Sequence, residues 1–182
     1  MNNHHRSHAQ CQGMTLIELI AVLAIVAVLL ASALPAWQSL TARAQLTTAK
    51  NSLILGLQRA RAEAASRGRD SVLCPSDDGL RCQESSDWSK GWVLFVDLNR
   101  NGRFDPVEPL LLSQSLDPER VSVRSTSGRR RITYRSLGES AGSNVTFVVC
   151  SRRRPEHAGQ VIVANSGRVR SLDFAPAQAC SA

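Results

Sequence analysis

One stretch, Met14 to Leu34, limits what this chain can become: 21 residues in succession with a single charged side chain, Glu18. As a helix rising about 1.5 Å per residue it is roughly 30 Å long, the thickness of a bilayer's hydrocarbon layer. A membrane-spanning helix is therefore predicted, with the rest of the chain attached to that anchor. Residues 1–13 ahead of it are polar, and Arg6 is their one full charge. This order reverses that of a secretory signal, whose apolar core precedes the cut and is discarded. A cut after Gly13 would instead leave the apolar segment on the mature chain, beginning at Met14, and would remove Cys11 with the leader. Glu18 costs about 2.5 to 3.5 kcal/mol in lipid, so it either meets a cationic partner or reaches back to the headgroups.

Beyond Pro35 the apolar residues Leu46, Ala49, Leu53, Leu57, Ala60 and Ala64 recur at steps of three and four. Residues 35–67 thus predict an amphipathic helix that covers a core with one face and stops at Gly68. Arg43, Lys50, Arg59, Arg61 and Arg67 are assigned to its solvated face. From residue 68 to 182 the pattern changes to short β-branched runs separated by Gly, Pro, Asn and Asp: 71–74, 91–97, 110–113, 121–124, 131–135, 144–150, 160–165 and 168–174. Such runs read as antiparallel sheet with hairpins. The expected class is α+β, a long N-terminal helix followed by one β-rich head, with Trp88 and Trp92 packing inside the sheet.

With Cys11 removed, four cysteines remain, and an even number suits an oxidising compartment. Three connectivities are open to them; the local pairs Cys74 with Cys82 and Cys150 with Cys180 are favoured over free thiols, each contributing roughly 2 to 4 kcal/mol. Histidine argues against catalysis. His4, His5 and His8 lie in the leader and His157 stands alone after it, which leaves little from which to build a triad or a histidine-metal centre. The chain is expected not to be an enzyme and to need no cofactor.

Two candidate sites remain. Asp97, Asn99, Asn101, Arg103 (through its carbonyl), Asp105 and Glu108 fall on the ligand positions of the twelve-residue calcium loop, with Gly102 at its turn. The flanks read as strands, Pro106 and Pro109 stiffen the exit, and the same residues form good turns without metal. The second site is basic. The net charge is +7, and residues 121–182 hold 10 arginines against 3 acidic residues. Among those arginines, Arg152, Arg153 and Arg154 follow one strand, while Arg168 and Arg170 share one face of another by the period of two. Guanidiniums grouped in this way bind phosphate without reading base sequence; a solvated hairpin is the alternative.

Gly13-Met14-Thr15-Leu16-Ile17-Glu18 followed by the apolar run resembles the class III signal of type IV pilins and type II secretion pseudopilins. The resemblance implies a prepilin peptidase that cuts after Gly13 and methylates Met14. It also implies that Glu18 pairs with a neighbouring subunit's N-terminus during assembly, and that the helix kinks or melts near Pro35. Leu73-Cys74-Pro75-Ser76, Cys82, Trp88, Gly91-Trp92 leading into Val93–Asp97, and Gly167-Arg168-Val169-Arg170 resemble the GspH/FimT family. That family implies a minor pilin or pseudopilin held in the bacterial inner membrane with a periplasmic head, partnered by other pilins. Its FimT branch, associated with natural transformation, contacts double-stranded DNA through a G-R-x-R motif that Gly167 to Arg170 match.

Overall fold

The computed structural model describes residues 15–140, 142, 144–174 and 180. Helix α1 (Leu16–Arg67) precedes eight strands: β1 (Asp70–Pro75), β2 (Gly91–Asp97), β3 (Leu110–Ser115), β4 (Val121–Ser125), β5 (Ile132–Tyr134), β6 (Val145–Ser151), β7 (Ala158–Val163) and β8 (Val169–Leu172). Each of the eight β-branched runs has become a strand. The chain divides into two units, Met1–Gln38 and Ser39–Ala182.

In the first unit, α1 is long and apolar enough to cross a membrane. Its apolar side chains, Leu16, Ile17, Leu23, Ile25 and Val28 among them, are exposed. The helix continues through Pro35, so it does not melt there as the resemblance suggests. Proline removes one backbone donor and crowds the preceding turn, a loss that the neighbouring turns of a helix this long can absorb.

In the second unit, Leu46, Ala49, Leu53, Leu57, Ala60 and Ala64 are all buried, the face that the three-and-four spacing predicts. Arg67 ends α1, and Gly68 follows in the left-handed region at φ 61°, where glycine carries no Cβ penalty. Lys50 departs from expectation: it is buried rather than on the solvated face, and it pairs with Asp173 just after β8. Periodicity placed it among the helix's charges but had no way of showing that the end of β8 would lie over it.

The strands form two antiparallel four-stranded sheets, β3-β2-β1-β5 and β4-β6-β7-β8. Alternation assigns their faces. Leu73, Trp92 and Leu94 from the first sheet, and Val123, Val145, Phe147, Val149, Val161 and Val163 from the second, meet the buried stripe of α1 in one core. Each such side chain, fully buried, contributes about 1.5 to 3 kcal/mol. On the other face of the first sheet Val72, Cys74, Val93 and Phe95 make a smaller cluster with Cys82 and Phe104. Its cover comes from the loops after β1 and β2, which explains why β2 is buried along its whole length.

The loop after β1 also ties the sheets together. Trp88 N donates to Val123 O at 2.8 Å, Val123 N donates to Ser89 Oγ at 3.0 Å, and the indole Nε1 donates to Ser125 Oγ at 3.2 Å. Trp88 and Trp92 are both fully buried, in the packing role expected of them. Cys74 is bonded to Cys82 and Cys150 to Cys180, with Cα separations of 5.4 and 5.9 Å, the local pairing favoured from the sequence.

Candidate functional site: the arginine-bearing turns

Arg168 precedes β8 and Arg170 lies within it. In the register of the second sheet Arg170 is opposite Ile162 and Val169 opposite Val163. Val163 faces the core, so alternation puts Arg170 on the solvent face, and Arg168 with it. Both are exposed, and among the described residues neither side chain has a hydrogen-bond or ion-pair partner. The turn that presents them is rigidly built. Gly167 N donates to Ala164 O at 2.8 Å, and Gly167 has φ 79°. A Cβ at Gly167 would overlap Gly138 O and crowd the ring of Tyr134. Only glycine fits. Tyr134 itself is buried, its hydroxyl has no partner among the described residues, and burial pushes its pKa up.

Arg152, Arg153 and Arg154 do not stand beside this pair. They occupy the turn between β6 and β7, whose His157 Nε2 lies 3.3 Å from Ser39 Oγ and accepts from Arg43 Nε at 3.3 Å. The turn before Arg168 instead packs on Gly138, which lies against Arg61. From Arg43 to Arg61 the helix rises about 27 Å at 1.5 Å per residue. The reason is topological: in an antiparallel meander successive hairpins close at opposite ends of the shared strand. Arg152 and Arg154 are also engaged locally. Arg152 Nε donates to Pro118 O at 2.7 Å, and Arg154 pairs with Glu156 at 3.5 Å. Burial opposes ionisation of nearby Asp87, yet hydrogen bonds from Ser89 and the charges of Arg124 and Arg152 hold its carboxyl below the usual range.

The loop from Asp97 to Glu108 joins β2 to β3 and closes on its own amides. Asp97 accepts from Asn101 N at 3.1 Å and Gly102 N at 2.8 Å; Glu108 accepts from Leu98 N at 2.8 Å and Asp105 N at 3.1 Å. Asn99 Oδ1 accepts from Asn101 N at 3.1 Å and Asn101 Oδ1 from Arg103 N at 2.6 Å, while Asp105 Oδ2 accepts both asparagine amides at 2.7 and 2.9 Å. Asp97 and Glu108 are nearly buried. Among the described residues no three His, Cys, Asp or Glu side chains converge to hold a metal. The six residues aligned with calcium-ligand positions thus share one loop, in which each carboxylate oxygen of Asp97 and Glu108 accepts one backbone N–H.

Glu18 sits in the first turn of α1 and is exposed. Gly13 and Met14 lie outside the described residues. Sequence reasoning passed over Arg129, Arg130 and Arg131, visible as a charge run after Gly128; their relation to Glu84 could not be read from it.

An N-terminal helix whose latter part is packed within antiparallel sheets defines a pilin-like protein. The family model described as Type II transport protein GspH matches residues 49–167, and one described as the prokaryotic N-terminal methylation motif matches residues 8–34; the chain belongs to the GspH family. Pilin-like protein PilA1 of Thermus thermophilus is 39% identical over 97 residues, 53% of this chain and 55% of that protein. The chain therefore spans about half the length of that relative. The type IV minor pilin FimU of Pseudomonas aeruginosa shares the fold at a TM-score of 0.54 and 20% identity, over 75% of this chain and 92% of that one. So does the minor pseudopilin EpsH of the Vibrio cholerae type 2 secretion system, at 0.51 and 16%, over 71% and 97%.

Proposed function

We propose that this protein is a minor type IV pilin, held in the bacterial inner membrane by residues 14–34 and assembled into a filament through Glu18, which binds double-stranded DNA without sequence preference during natural transformation. In this reading a prepilin peptidase cuts after Gly13 and methylates Met14, residues 35–67 continue the helix into the head, and residues 68–182 form a periplasmic head. The observation that carries DNA binding is the exposed pair Arg168 and Arg170, without a partner among the described residues, on the solvent face at the start of β8 and presented by a turn that only Gly167 can make. Arg153 and its neighbours, at the other end of β7, would meet a different part of the duplex. The likeness to EpsH and the GspH family model support a second reading, a structural pseudopilin of type II secretion.

A salt series of duplex binding by the full-length protein in detergent tests the first reading. Each lost phosphate contact flattens the log-log salt dependence by roughly 0.9, so Arg168→Gln with Arg170→Gln should flatten it by nearly twice that. Transformation should fall while pilus number is unchanged. Binding by the double variant equal to wild type would leave these arginines as a solvated face and favour a purely structural subunit, whether one that primes a type IV pilus or a type II secretion pseudopilin.

For the loop between β2 and β3 the proposed role is structural. Asp97→Ala leaves the amide of Gly102 without its acceptor and takes from the Asn101 amide one of its two; it should cost about 1 to 3 kcal/mol, read as a lower Tm. Wild type should melt alike in calcium and in chelator. A calcium-dependent rise in Tm that Asp97→Ala or Glu108→Ala abolishes would establish instead the metal site that the spacing suggests.

A further inference from the structure

The arginines of residues 121–182 form a second grouping, in the connection between β4 and β5. Gly128, at φ 79°, and a hydrogen bond from Arg129 N to Thr126 O at 3.0 Å shape a turn there. Arg129, Arg130 and Arg131 then surround an open hollow of about 350 Å³ together with Gly128 and Glu84. Two guanidiniums are held by backbone: Arg129 Nη1 donates to Gly142 O, and Arg131 Nη1 donates to Gly102 O at 2.5 Å. The Glu84 carboxylate accepts from Arg131 Nη2 at 2.7 Å through one oxygen and lies 3.4 Å from Arg130 Nη1 through the other. The arginines are thus already aimed at a pair of anionic oxygens. Guanidinium forks fit carboxylate and phosphate by the same geometry, so Glu84 stands where two phosphate oxygens would.

Charge and exposure favour exchange. Three guanidiniums and one carboxylate line the hollow, so it keeps an excess of positive charge. Glu84 is 50% exposed, as is Arg130 at 55%, and ion pairs in so much solvent hold weakly. We propose that this hollow is a second phosphate-binding site, for the backbone of a nucleic acid. The inference rests on the DNA-binding reading above and extends it to a different element. Spacing points to a polymer rather than a small phosphate. Thr126 bonds Thr146 across β4 and β6, Thr146 is opposite Ile162, and Ile162 is opposite Arg170. Those three strand intervals, at about 4.8 Å each, amount to roughly 14 Å. The arginine turn therefore begins, at Thr126, by one edge of the sheet whose other edge carries Arg168 and Arg170, and a backbone with a phosphate every 3.4 Å or so along the duplex axis is long enough to span the two edges.

The test is a salt series with a short fluorescein-labelled duplex and the full-length protein in detergent. Arg129→Gln, Arg130→Gln and Arg131→Gln together should flatten the slope by roughly two to three. Glu84→Gln removes the competing carboxylate and leaves the backbone bonds of Arg129 and Arg131 intact; it should tighten binding about two- to fivefold. If the triple variant does not fold, Glu84→Gln decides alone: unchanged or weaker binding overturns the site. Should both variants match wild type while Arg168→Gln with Arg170→Gln flattens the slope, the site is overturned and the interface at β8 stands. Should only the Arg129 to Arg131 set and Glu84 alter binding, the site stands and the β8 interface falls. A wild type that does not bind duplex overturns both.

Discussion

Trp88→Ala is expected to destabilise the Ser39–Ala182 unit by about 3 to 5 kcal/mol, the usual cost of emptying a buried aromatic position. The indole is fully buried and forms a T-shaped pair with the ring of Phe147, at a centroid distance of 5.0 Å and an interplanar angle of 87°. Its Nε1 is spent on Ser125, and its backbone pairs with Val123 at the edge of the second sheet. Removing the ring therefore opens a void and takes a clasp between sheets with it. Tm should drop by roughly 10 °C or more. Trp88→Phe keeps most of the volume and loses the hydrogen bond to Ser125, so it should cost markedly less. Urea unfolding followed by near-ultraviolet circular dichroism separates the two variants; a loss below about 1 kcal/mol for Trp88→Ala would show that the site collapses around the gap and that the packing account is wrong.

Glu18→Ala should leave membrane insertion intact and abolish incorporation into filaments. The substitution removes the one charge of the apolar run, so insertion becomes easier by about 2.5 to 3.5 kcal/mol. Assembly should suffer because, in the proposed role, the carboxylate meets the methylated N-terminus of a neighbour in a lipid-like setting. Removing one partner of such a pair leaves the other charge uncompensated, at a cost of about 3 to 5 kcal/mol. Filament content, read by immunoblot of sheared filaments against total membrane protein, should fall about tenfold or more. Wild-type incorporation of the variant would defeat this role for Glu18.

The local patterns of this sequence were enough for what depends on neighbours along the chain. A run of 21 residues with one charge, Glu18, specifies a helix long and apolar enough to cross a membrane, and the three-and-four spacing from Leu46 to Ala64 specifies a buried stripe. Eight β-branched runs specify eight strands because side-chain alternation and turn residues act over a few positions. Glycine at 68 and 167 could be read as punctuation, although only the structure shows that Gly138 O fills the space where a Cβ at 167 would go.

Tertiary structure decided the rest. Nothing local states that the strands divide into two sheets, since a run's periodicity is the same whichever partner it finds. The ion pair of buried Lys50 depends on Asp173, 123 residues away, and the pairing of Arg130 and Arg131 on Glu84, 46 and 47 residues away. The arginines most easily misplaced were Arg152 to Arg154 and Arg168 with Arg170. They are close in sequence and lie in one segment clamped between Cys150 and Cys180, yet β7 holds them apart because its two hairpins turn at opposite ends. Sequence thus determined which residues are long apolar helix, core face and strand. Long-range pairing, through contacts whose energy depends on partners far along the chain, decided which charges share a surface.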